Sequence, residues 1–68
     1  MKNIGFIGVG TMGLPMALNL LKNGHVLSFY DPFADKKTIE ALTEVGAKQE
    51  NNIPDLCKKQ DFLISMLP

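Results

Sequence analysis

Apolar positions along this chain recur with two alternating periods. Residues 2–7 rise directly from the N-terminus and read as a first, buried strand. Over residues 11–23, Met12, Met16, Ala17, Leu20 and Leu21 recur at helical spacing. Pro15 falls in or just after the first turn, where a missing N–H has little effect because early helix amides lack intrahelical partners. Asn23-Gly24 is a stop signal, glycine taking the left-handed conformation after a helix without penalty. Val26–Tyr30 is a β-branched and aromatic run closed by Asp31-Pro32, hence a second strand and a turn. Over residues 35–45, Ile39, Leu42 and Val45 share one helical face, and Gly46 ends that helix. Residues 47–49 fit a brief third strand. Asn52 fits the cap of a short helix through Leu56 to Lys59, with Pro54 near its first position. Residues 62–66 are an apolar run of strand length. Strands alternating with helices in this way predict a parallel α/β sheet.

Length and composition narrow the picture. Sixty-eight residues make one small domain, marginal in stability because such a domain buries only a modest share of its surface. With 46% hydrophobic and 21% charged residues the chain is ordinary for a globular protein. Seven basic and seven acidic residues cancel without forming a basic stripe, so neither nucleic acid nor an anionic membrane is an expected partner. Glycines interrupt the N-terminal run, which argues against a signal peptide, and no stretch approaches the ~18 apolar residues of a membrane span. The single Cys57 can form neither an internal disulfide nor a zinc site, and a reducing, cytoplasmic setting is expected.

The candidate chemistry sits between the first strand and the first helix. Gly8-Val9-Gly10-Thr11-Met12-Gly13 is a Gly-x-Gly-x-x-Gly turn. Gly8 allows a sharp exit from the strand, Gly10 lets backbone approach a pyrophosphate, and Gly13 lets the helix pack closely. The helix N-terminus then offers free N–H groups and about half a positive charge to phosphates. A protein-kinase glycine loop is excluded, because it would lie between antiparallel strands and carry Val where this chain has Pro15. A Walker A loop is excluded too, since no Gly-Lys-Ser/Thr follows.

Asp31 ends the second strand 18 residues after Gly13, close to the spacing of the acidic residue that binds an adenosine ribose. A carboxylate there accepts from ribose hydroxyls and repels the extra phosphate of NADP, which favours NAD. Lys36 and Lys37 are the nearest bases that could offset the repulsion. The same residue also fits a turn-initiating Asp before Pro32. Thr11 and Met12, inside the turn, are further candidates for cofactor contact. Met16 is better read as core, Cys57 as a structural thiol, and His25 as a strand-edge residue away from the turn. No nucleophile–base pair, carboxylate pair or metal cluster is visible in the sequence, so no catalytic residue and no metal site is assigned.

The run from Gly5 to His25, with Gly-x-Met-Gly-x-Pro-Met-Ala-x-Asn-Leu at its centre, resembles the N-terminus of the β-hydroxyacid dehydrogenases. In pattern it is nearest to 3-hydroxyisobutyrate dehydrogenases and tartronate semialdehyde reductases. Ile64-Ser65-Met66-Leu67-Pro68 resembles that family's strand and loop beside the cofactor, so the likeness covers essentially the whole chain. It implies cofactor contacts at Gly8, Val9, Gly10, Thr11, Met12, Gly13, Asp31, Leu67 and Pro68. In 6-phosphogluconate dehydrogenases the second strand typically ends in Asn-Arg, suited to NADP. Asp31-Pro32 departs from that subgroup. The implied fold is a partial Rossmann, or doubly wound, parallel sheet of order 3-2-1-4, spanning residues 1–68 and stopping before the second half.

The family's acid/base lysine, its Ser-Gly-Gly segment and the helical domain that closes the site and builds dimers lie downstream of the Met-Leu-Pro segment. Hydride transfer is therefore not expected from residues 1–68 alone. The expected function is the cofactor-binding segment of an oxidoreductase acting on a β-hydroxyacid. The alternatives are a stand-alone nucleotide-binding module without catalysis, and a nonfunctional or interacting fragment. The apolar strand at 62–66 would have an unpaired outer edge, inviting self-association or pairing with another chain.

Overall fold

The computed structural model describes residues 2–66. In chain order these form β1 (Asn3–Ile7), α1 (Gly10–Lys22), β2 (Val26–Tyr30), α2 (Lys36–Glu44), β3 (Lys48–Gln49), α3 (Ile53–Cys57) and β4 (Phe62–Ser65). The strands make one sheet of order β3-β2-β1-β4, with every pairing parallel. This is the doubly wound half expected from the sequence, with element ends shifted by one or two residues.

Register explains the core. Ile4 pairs with Leu27 and Phe6 with Phe29, and because side chains alternate across a strand, all four project from one face. All four are buried, together with Val9, Ala17, Leu42 and Ala47. The helices α1 and α2 cover this face. On the other face α3 packs against β1 and β2, and its Leu56 is fully buried.

Both longer helices end in the same way. After α1, Gly24 at φ +86° donates its N–H to the Leu21 carbonyl at 3.0 Å, and His25 donates to Leu20 at 3.2 Å. After α2, Gly46 at φ +100° donates to Thr43 at 3.1 Å, and Ala47 donates to Leu42 at 3.0 Å. Each pair is a Schellman motif, which requires the left-handed conformation that glycine supplies. At the N-termini, the Asp35 carboxylate accepts from the Thr38 N–H at 2.8 Å, and the Asn52 side chain accepts from the Asp55 N–H at 2.8 Å. The Asp35 carboxyl is held below its usual range, first by the hydrogen bond from the Thr38 backbone.

Three expectations about packing are corrected. Met16 is exposed rather than core. With 3.6 residues per turn, the buried Ala17 aligns Leu14, Leu18, Leu20 and Leu21 toward the sheet, while positions 12 and 16 rotate away. Val45 is exposed because it occupies the cap of α2, past the last turn that faces the sheet. Cys57 is exposed, the adjacent Leu56 filling the core instead. Pro15 lies just after the first turn of α1, as the sequence places it, but the helix starts at Gly10 and its first bond is made at Gly13. It therefore removes an N–H that would have reached the carbonyl of residue 11.

Candidate functional site

The C-terminal ends of β1 and β2 meet at the pair Ile7 and Tyr30. Beyond Ile7 the chain turns at Gly8, whose φ is +74°, and the Gly8 N–H donates to the Tyr30 carbonyl at 2.9 Å. Val9 is buried beneath the turn, and Gly10, at φ +59°, opens α1. The first helical bond runs from the Gly13 N–H to the Val9 carbonyl at 2.8 Å. The amides of Gly10, Thr11 and Met12 precede it and have no acceptor within the helix.

A side chain at Gly10 would meet nothing within 4 Å. Glycine is required there by its left-handed φ, and the space above it is open to a ligand. Gly13 works differently from the close helix–strand packing expected of it. Its nearest neighbours would be the side chains of Met66, at 3.4 Å, and Val9, at 3.5 Å, which leaves ordinary room for a methyl group. Met66 also donates its N–H to the Ile7 carbonyl at 2.9 Å, so the end of β4 forms a second wall beside the turn.

Asp31 completes the arrangement. Its Oδ2 accepts from the Val9 N–H at 2.8 Å and the Gly10 N–H at 3.2 Å, while Oδ1 accepts from the Phe33 N–H at 2.9 Å. The contact at Phe33 is the turn-initiating bond that an Asp before Pro can make. The two contacts at the glycine turn were not legible from spacing, because parallel pairing of β1 with β2 creates them across more than 20 residues. Phe33 itself is 87% exposed beside this carboxylate, and Met12 is 81% exposed at the start of α1; both flank the open space.

Of the residues singled out from the sequence, Gly8, Val9, Gly10, Thr11, Met12, Gly13 and Asp31 converge on this one mouth. Leu67 and Pro68 lie outside the described residues. His25 sits at the opposite end of the sheet, where its Nδ1 accepts from the Lys2 N–H at 3.2 Å. A concavity of about 480 Å³ lies on the α3 face near the other ends of β1 and β2. Its Lys48 pairs with Glu50 and its Lys58 with Asp55. It is remote from the glycine turn.

A parallel sheet crossed on both faces, a glycine turn opening a helix and an acidic residue closing the next strand define a dinucleotide-binding Rossmann unit. The family model described as the NAD binding domain of 6-phosphogluconate dehydrogenase matches residues 3–68, and the chain belongs to that family.

Among its relatives, the mitochondrial 3-hydroxyisobutyrate dehydrogenase of Drosophila melanogaster is 45% identical over 67 residues, covering 98% of this chain and 20% of the relative. The NAD-dependent L-serine dehydrogenase of Pseudomonas aeruginosa is 43% identical over 68 residues, covering 100% of this chain and 22% of the relative. Among solved structures, a Myxococcus stipitatus imine reductase variant in complex with NAD+ superposes with a TM-score of 0.86 at 22% identity, over 98% of this chain and 23% of that one. An Aspergillus terreus imine reductase in complex with NADPH4 and dibenz[c,e]azepine gives 0.82 at 30% identity, over 98% and 23%. The chain thus spans about a fifth of the length of the curated relatives it matches.

Proposed function

We propose that this chain is the cofactor-binding segment of an NAD-dependent oxidoreductase that transfers hydride to and from a β-hydroxyacid. One observation carries the cofactor part: the Asp31 carboxylate stands within hydrogen-bond reach of the glycine turn at the mouth between β1 and β2. The residues present fit a dinucleotide. Open space above Gly10 admits a pyrophosphate, and the Thr11 and Met12 amides are free of helical acceptors to receive it. Asp31 faces the adenosine ribose. Its charge disfavours a 2′-phosphate, so NAD is preferred over NADP.

When bound, the nicotinamide supplies the hydride chemistry; residues 2–66 grip, orient and exclude. The relatives named as 3-hydroxyisobutyrate and L-serine dehydrogenases support a small hydroxyacid as the substrate class. A cytoplasmic location, and self-association through the edge of β4, belong to the same proposal.

Titration of the purified chain with NADH, NADPH and ADP-ribose tests it. Saturable binding of NADH and ADP-ribose is expected, with NADPH weaker and all binding lost in Gly10→Val. No binding at millimolar ligand would remove the cofactor role. Equal affinity for NADPH would remove the NAD preference.

A further inference from the structure

The carboxylate of Asp31 is already largely occupied by the protein's own backbone. A carboxylate offers about four acceptor directions, and three are taken by the N–H groups of Val9, Gly10 and Phe33 at 2.8, 3.2 and 2.9 Å. A ribose diol would bring two further donors to a group with about one direction left. Val9 is also buried, and removing Asp31 would take the acceptor from its part-buried N–H, which is unfavourable.

We propose that Asp31 is a positioning residue for the glycine turn, setting the phosphate-binding backbone before any ligand arrives, in addition to facing the ribose. By holding the amides of Val9 and Gly10 inward, it fixes the left-handed Gly10. That in turn aims the next two amides, those of Thr11 and Met12, outward at the anion. Through Phe33 the same carboxylate ties the turn after β2 to the turn after β1, so both rims of the mouth are held by one side chain. The ligand part of this inference rests on the cofactor reading above; the part concerning the turn does not.

Two measurements on the 68-residue chain test it, using Asp31→Asn, which keeps the side-chain shape, beside Asp31→Ala. The first is amide hydrogen exchange without ligand. Exchange at Val9 and Gly10 is expected to accelerate about tenfold or more beyond any change at the core-strand amides of Phe6 and Leu27, as loss of hydrogen bonds to a charged group implies. Uniform acceleration along the chain, or none, overturns the positioning role.

The second compares ADP with 2′,3′-dideoxy-ADP, which lacks both ribose hydroxyls, following the Thr11 and Met12 amide signals. A positioning role predicts that both ligands weaken by a similar factor of about ten in either variant. A ribose contact alone predicts that only ADP weakens. Removing a negative charge near phosphates would by itself make dideoxy-ADP bind more tightly. Unchanged or tighter dideoxy-ADP binding therefore overturns the proposal. If the wild-type chain binds neither ligand, the cofactor reading fails, while the exchange result still decides whether Asp31 holds the turn.

Discussion

At Gly10, backbone conformation and ligand space coincide. Its φ of +59° is one that a β-branched residue adopts only under strain, although no neighbouring atom lies within 4 Å of where its Cβ would be. Gly10→Val is thus expected to lose about 1–3 kcal/mol of stability from the backbone alone and to place its methyl groups where a pyrophosphate would lie. Thermal denaturation and ADP-ribose titration of the same sample separate the two effects. Gly13 should behave in the opposite way. It sits in a helix interior with room for a methyl against Met66 and Val9, and alanine is better than glycine in a helix by about 1 kcal/mol. Gly13→Ala is expected to leave the melting temperature unchanged or raised; a clear fall would mean the third glycine is needed for packing after all. The sequence motif alone treats the three glycines as equals. Only the positive φ at two of them and the clearance at the third tell them apart.

At the scale of elements, what was legible depended on whether a local residue decided it. The stops at Gly24 and Gly46 and the cap at Asn52 are local choices of backbone conformation and acceptor, and the structure places each where the sequence does; the cap at Asp35, read only as the start of the helical stretch, is equally local. Strand order followed from the strand–helix alternation and the family resemblance together. The buried face of α1 was harder to read, because that helix is apolar nearly all round and its period alone could not choose between the Met12–Met16 side and the Leu14–Leu18 side. The three contacts of Asp31 were divided in the same way: the local one at Phe33 could be read, and the two across the sheet could not.

The α2 cap carries a pH prediction. The Asp35 carboxyl is lowered below its ordinary 3.8 by the hydrogen bond from the Thr38 backbone, so the unfolded chain binds its proton more readily than the folded one. The stabilisation is therefore present above the ordinary value and is lost as pH falls through the lowered one. Melting temperatures taken from pH 5 downward should show this as part of the acid loss. Asp35→Asn, which keeps the capping oxygen but does not titrate, should show a shallower acid dependence than the wild type. Identical slopes would contradict the assignment.

At the scale of the whole molecule, the two edges of the sheet are unequal. The β3 edge is two residues long and carries the exposed Lys48, features that discourage another strand from adding to it. The β4 edge is four residues, Phe62-Leu63-Ile64-Ser65, with Phe62 57% and Leu63 49% exposed. Among the described residues, β4 is paired on one side, to β1. Among the described residues no strand pairs with its other side, whose backbone groups are flanked by apolar side chains, and a small domain has little other buried surface to offset that exposure. Association through β4 would bury both at once. Sedimentation of the 68-residue chain should accordingly show a weight-average mass that rises with concentration. Leu63→Lys, which puts a charge on the edge while its methylene stem still covers Gly5, should shift the material toward monomer without lowering the melting temperature measured at high dilution. A wild-type chain that stays monomeric, with a sharp transition independent of concentration, would show that this edge is tolerated and that the sheet as described is sufficient by itself.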